Sequence, residues 1–140
     1  MRKRSFLDTN ILLYAVDRAD AAKRETALEL IDQHAKNRSG VISTQVLEEF
    51  YSAATRKLGI APLQARQHLR DFRIFDIVQV TPDLIETGIE CSILNQLSFW
   101  DGLIVAAATV AAVTTLLSED LSAGQSISGV AVVNPFAGKA

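Results

Sequence analysis

Short apolar runs alternate along this chain with longer stretches of helix-favouring residues, and few architectures satisfy that alternation. Arg4 to Leu7 reads as a short strand, and Asn10 to Val16 follows with helical or turn character. Ala21 to Lys36, rich in Ala, Leu, Glu and Lys, is expected to be helical. Val41-Ile42 reads as a strand ending at Ser43-Thr44, good caps for a helix from Gln45 to Leu58 that Gly59 stops. Pro62 opens a helix to about Phe72, and Ile77 to Val80 alternates like a strand. Thr81-Pro82 then combines a cap with proline at the first helical position, leading a helix to about Asn95. Ser98 and Asp101 have capping-box spacing ahead of an Ala-rich segment, and Thr114 to Ser118 and Val130 to Val133 add two strands. The expected fold is α/β, a three-layer sandwich with a central, mostly parallel sheet flanked by helices. No repeat, low-complexity tract or proline-rich linker interrupts it, so residues 1–140 are expected to form one domain.

Composition narrows the chemistry. A chain of 140 residues, 49% of them hydrophobic, has enough apolar surface for a core without staples. A single cysteine, Cys91, excludes an internal disulfide, and with only His34 and His68 beside it there is no Cys/His zinc cluster. Any metal must therefore be held by oxygen. The net charge of -2 lacks the basic surplus that usually marks nucleic-acid binding, so contact with phosphate needs another source of positive charge. The apolar stretch Leu103 to Leu117 contains three threonines and is shorter than the ~20 residues that cross a bilayer. It is better read as a core helix running into a strand. Met1-Arg2-Lys3-Arg4 imitates a leader, but Asp8 and Asn10 interrupt the apolar region behind it, and a cytoplasmic protein is expected.

The candidate chemistry lies in acids set among apolar residues. Asp8, in Phe6-Leu7-Asp8-Thr9-Asn10-Ile11, stands at the carboxyl end of the first strand, where it also suits a helix cap. Asp101, in Phe99-Trp100-Asp101-Gly102, equally suits a first-turn acid facing the helix dipole. Asp120 follows the strand ending at Leu117-Ser118, and its neighbour Glu119 reads as a loop charge or a second acid. On a helical wheel, Val46, Leu47, Phe50, Tyr51, Ala54 and Leu58 form one apolar stripe, and Glu48 and Glu49 fall on its opposite edges. Periodicity does not choose between them.

Two acids at strand ends, one opening a buried helix and one beside an apolar stripe would repel if they converged, and desolvation would penalise each. A divalent cation resolves both costs. Oxygen-only ligation suits magnesium or manganese, which bind through a few carboxylates and substrate phosphates.

These segments resemble the PIN-domain ribonucleases, especially the VapC-like toxins of bacterial toxin-antitoxin pairs. The resemblance rests on Phe6-Leu7-Asp8-Thr9-Asn10, Ile42-Ser43-Thr44-Gln45-Val46-Leu47-Glu48-Glu49-Phe50-Tyr51, Trp100-Asp101-Gly102-Leu103 and Leu117-Ser118-Glu119-Asp120, with Val132-Val133-Asn134-Pro135-Phe136 in support. It implies a metal site formed by Asp8, Glu49, Asp101 and Asp120, with Thr9, Asn10 and Ser118 as supporting polar residues. Asp8 and Asp101 would be direct ligands, Glu49 a ligand directly or through water, and Asp120 a second-metal or water-orienting group. The family often has a variable or basic residue where Glu119 stands, so this chain departs from the pattern by one acid. The resemblance further implies Mg2+ or Mn2+, hydrolysis of RNA phosphodiester bonds, a homodimer, and an antitoxin that covers the acidic pocket.

Arg56, Lys57, Arg66, Arg70 and Arg73 are candidates for steering the RNA backbone. Two alternatives differ in kind. A haloacid-dehalogenase-type phosphatase would want a second aspartate where Asn10 stands and a later lysine that is missing. A non-catalytic RNA- or protein-binding scaffold would use the acids as caps and flank charges.

Overall fold

The computed structural model describes residues 3–137. Six strands, β1 (Ser5–Leu7), β2 (Gly40–Ser43), β3 (Asp76–Val78), β4 (Thr115–Leu117), β5 (Ser126–Ile127) and β6 (Val130–Val133), form one sheet in the order β3-β2-β1-β4-β6-β5. All neighbours pair in parallel except β5 with β6. The flanking helices are α1 (Thr9–Tyr14), α2 (Ala21–Lys36), α3 (Thr44–Arg56), α4 (Pro62–Asp71), α5 (Pro82–Asn95) and α6 (Phe99–Val110). The expected mixed α/β sheet is present.

Its strands are short because each contributes only a few fully buried side chains to the core. Phe6, Leu7, Val41, Ile42, Leu116 and Val132 lie at its centre. Each removes roughly 1.5–3 kcal/mol worth of apolar surface from water. α3 buries Val46, Phe50 and Ala54 at four-residue spacing, whereas every residue of α6 from Gly102 to Ala108 is buried. That continuous burial accounts for the apolar stretch through Leu117 as a core helix followed by β4. No single helix among the described residues is long and apolar enough to cross a membrane.

The caps fall where the polar residues suggested. Ser43 Oγ accepts from Val46 N at 3.3 Å, and Ser98 Oγ accepts from Asp101 N at 3.1 Å. The helix opened by Pro62 ends at Asp71 with Phe72 as its cap, as expected, and tightens into a 3-10 turn at Phe72–Ile74. The hairpin at β5 was absent from the expected elements. Its turn residues Ser128 and Gly129 have φ of 52° and 83°, the left-handed pair that a two-residue hairpin loop demands.

α5 and α6 meet at a crossing where side chains are excluded. A Cβ on Gly102 would lie 2.6 Å from the Gly88 carbonyl oxygen and 2.8 Å from Ser92 Cβ. This contact fixes the first turn of α6, which carries Asp101.

Candidate active site

From β1 the sheet grows outward through β2 and β3, and the chain then returns to add β4 and β6 on the other side. At such a reversal the carboxyl ends of the two flanking strands open a crevice. Asp8 directly follows β1, and Ser118, Glu119 and Asp120 directly follow β4. Backbone pairing extends to the crevice itself, since Asp8 N donates to Leu117 O at 3.0 Å.

Asp8 is buried, 5% exposed, and both its carboxylate oxygens are engaged. Oδ1 accepts from Thr9 N at 2.7 Å and Oδ2 from Ser118 Oγ at 2.7 Å. It is the N-cap of α1 and a member of the acid group at once. Asn10 latches the two strand ends together: its amide donates to Asp120 Oδ2 at 3.1 Å and its Oδ1 accepts from Glu119 N at 3.1 Å. The same amide lies 3.4 Å from Ser118 Oγ.

The third acid arrives on α3. Glu48 is exposed and Glu49 half-buried, so the tie left by the helical wheel falls to the second glutamate. Thr9 Oγ1 donates to Glu49 Oε1 at 2.7 Å, and Gln45 Nε2 donates to Glu49 Oε2 at 3.3 Å. Gln45 also donates to the Trp100 carbonyl at 3.2 Å, tying α3 to the first turn of α6. Sequence reasoning missed this buried glutamine, although its place one turn before Glu49 is a helical-neighbour signal. Its Oε1 has no hydrogen-bond partner. Asp101 is half-buried and is the most loosely joined acid, coupled to the others through the charge of Asp120.

Glu119 leaves the acid group altogether. Its carboxylate accepts from Lys23 Nζ at 2.5 Å and from Tyr14 OH at 2.5 Å, and Lys23 Nζ also lies 5.7 Å from the Phe136 ring centroid. Burial alone would lift the Glu119 carboxyl, yet the bonds from Lys23 and Tyr14 hold it below the usual carboxylate range. The departure from the family pattern is thereby a separate ion pair.

No cation compensates the remaining four. The ion pairs among the described residues join Arg4 to Asp76, Lys23 to Glu119 and Lys36 to Asp32. Burial pushes Asp8 up to about 6, against the hydrogen bonds from Ser118 and Thr9, with the charges of Asp120 and Glu49 adding to the rise. Asp101 is likewise raised, by burial first and by Asp120 in addition. Thr9, Asn10, Glu49 and Asp120 line a cavity of about 520 Å³ together with Arg56 and Lys57. Arg66, Arg70 and Arg73 do not line it.

The donor set fits a hard divalent cation: oxygen-only, uncompensated and partly desolvated. The spacing is open, however, and among the described residues no three acids are close enough together to hold one ion as they stand. Mutual repulsion works against closer approach, and Thr9 and Gln45 anchor Glu49 on its own side of the cavity.

The family model of the PIN domain matches residues 5–123. No curated protein matches the chain. Among solved structures, the chain is 22% identical to Mycobacterium tuberculosis VapC20, a sarcin-ricin loop cleaving toxin, over 83% of this chain and 89% of that one, with a TM-score of 0.68. A toxin-antitoxin complex from Klebsiella pneumoniae is 20% identical over 94% of this chain and 97% of that one, at a TM-score of 0.69. VapBC2 from Rickettsia felis, bound to a DNA fragment of its promoter, is 21% identical over 91% and 96%, at 0.66. At such identities the likeness speaks for the fold.

Proposed function

The chain belongs to the PIN domain family, and on that footing we propose that it is a divalent-metal-dependent ribonuclease, the toxin of a toxin-antitoxin pair. The observation that carries the reading is the meeting of Asp8, Glu49 and Asp120 around the strand-end crevice, with Asp101 coupled to them and none of the four in an ion pair among the described residues. Mg2+ or Mn2+ would be held by Asp8, Glu49, Asp101 and Asp120. When bound, the cation offsets charge gathering on a phosphodiester and makes a bound water more acidic.

The chain's own residues do the positioning. Ser118 and Thr9 N fix both oxygens of Asp8, so its carboxylate keeps one orientation. Asn10 holds Asp120 against the opposite strand end, and Thr9 with Gln45 sets the angle of Glu49. The raised affinity of Asp8 for protons disfavours its charged form, and a cation reverses that preference.

We extend the reading to assembly and location. The Klebsiella neighbour is a toxin-antitoxin complex, and here an antitoxin segment would enter the cavity beside Glu49 and Asp120. Ile85, Ile89 and Ile93 form an exposed stripe at four-residue spacing on α5, with Leu94 and Trp100 beside it, which supports a homodimer through this face. A toxin acting on cellular RNA works in the cytoplasm.

Cleavage of RNA by purified wild type and Asp8→Asn, with Mn2+ and with chelator, tests the proposal. Metal-dependent cleavage abolished by the substitution supports it. The open spacing of the acids favours one rival, a non-catalytic scaffold, and a folded wild type that cuts no RNA at any Mn2+ concentration selects that rival.

A further inference from the structure

A second and larger cavity, about 760 Å³, adjoins the acidic one. Arg18, Arg24 and Lys57 line it, together with His68 and one acid, Asp17, whose Oδ1 already accepts from Ala19 N at 2.9 Å. None of the three cations is in an ion pair among the described residues. In a chain with net charge -2, three uncommitted cations around one hollow are a local reversal of sign. Lys57 borders both cavities and so joins the basic hollow to the one that holds Glu49 and Asp120.

We infer that this basic groove, formed by the α1–α2 connection and the end of α3, binds the phosphate backbone of single-stranded RNA on one side of the bond to be cut. The choice of RNA rests on the proposed nuclease function. The groove adds Arg18 and Arg24 to the positive charge that Arg56 and Lys57 already bring to the acidic cavity, and so helps hold a polyanion beside the carboxylates. It also amends the sequence expectation: Arg56 and Lys57 do line the cavities, Arg18 and Arg24 join them, and Arg66, Arg70 and Arg73 line neither.

The test is equilibrium binding of a fluorescein-labelled single-stranded RNA of about ten nucleotides to the full chain in EDTA, followed by anisotropy across a salt series. Arg18→Ala with Arg24→Ala is compared with Arg66→Ala with Arg73→Ala, which removes the same charge from exposed positions elsewhere. The groove pair is expected to weaken binding at least tenfold and to flatten the log K against log salt slope by about 1.4, two phosphate contacts. The remote pair is expected to change both far less. Equal effects from the two pairs, or competition by polyglutamate as strong as by unlabelled RNA, overturn the inference. Addition of Mn2+ separates the two readings. Salt-dependent binding at the groove without cleavage leaves the groove standing and removes the nuclease, whereas cleavage whose KM is unmoved by the groove pair removes the groove.

Discussion

Asp8 sets a pH dependence whose sign is opposite to that of an ion-paired aspartate. Its folded-state value of about 6 stands above the ordinary 3.8, so the folded protein keeps the proton longer than the unfolded chain does. The folded state is therefore favoured at low pH, and that contribution is lost as pH rises through the interval between the two values. In EDTA, the stability of Asp8→Asn relative to wild type should rise by about 3 kcal/mol from the low end of this interval to the high end, on top of a constant cost for the acceptor that the amide removes. Urea denaturation at a series of pH values measures this, and a difference that does not vary with pH contradicts the assignment. Gln45 offers a second residue-level check. Gln45→Leu removes a carbonyl oxygen that has no partner, so the fold should lose less than about 1 kcal/mol. Cleavage should fall about 10- to 100-fold, because Glu49 and the first turn of α6 lose their tie. Fold stability and Mn2+ titration together separate the two effects. At this scale the resemblance named the acids together with Thr9, Asn10 and Ser118, which bond to them, but neither Gln45 nor Lys23 was legible. Whether Glu48 or Glu49 turns inward depends on how α3 rolls against α1. Whether Glu119 joins the acids depends on Lys23, 96 residues away in the chain.

At the scale of elements, the close approach of α5 and α6 makes a sharp prediction. Gly102→Ala places a methyl against the Gly88 carbonyl and Ser92, which are backbone and helix wall and cannot yield cheaply. It should cost about 1–3 kcal/mol by overpacking and should weaken Mn2+ binding by displacing Asp101. Thermal unfolding and titration report each. The α5 stripe behaves differently: Ile89→Arg changes an exposed side chain, so the fold should be kept while the proposed homodimer dissociates, as read by light scattering. Helices and parallel strands were legible because their apolar periods and caps agree, as at Ser43 and Thr81. The β5 hairpin escaped because two residues carry no period, although Ser128-Gly129 between Ile127 and Val130 is a turn signal in its own right.

For the whole molecule, uncompensated acids imply a cation-linked stability. Mn2+ at a hundred times its dissociation constant should raise unfolding stability by about 2.7 kcal/mol, and chelator should reverse the gain. Calorimetry with and without metal decides it, and an unfolding midpoint indifferent to Mn2+ would count against a cation site. The alternation of strands and helices made the architecture legible. The strand order, which creates the crevice, was not, because short parallel strands can pair in several orders with the same local pattern.

The pairing of β1 with β4 carries a consequence for biosynthesis. Asp8 emerges early from the ribosome, but Ser118, which orients it, and Asp120, which stands across from it, come 110 or more positions later. No nascent or prematurely terminated chain ending before β4 can assemble the crevice. Any activity seated in the crevice is thus withheld through most of translation, until β4 and the residues behind it have been made.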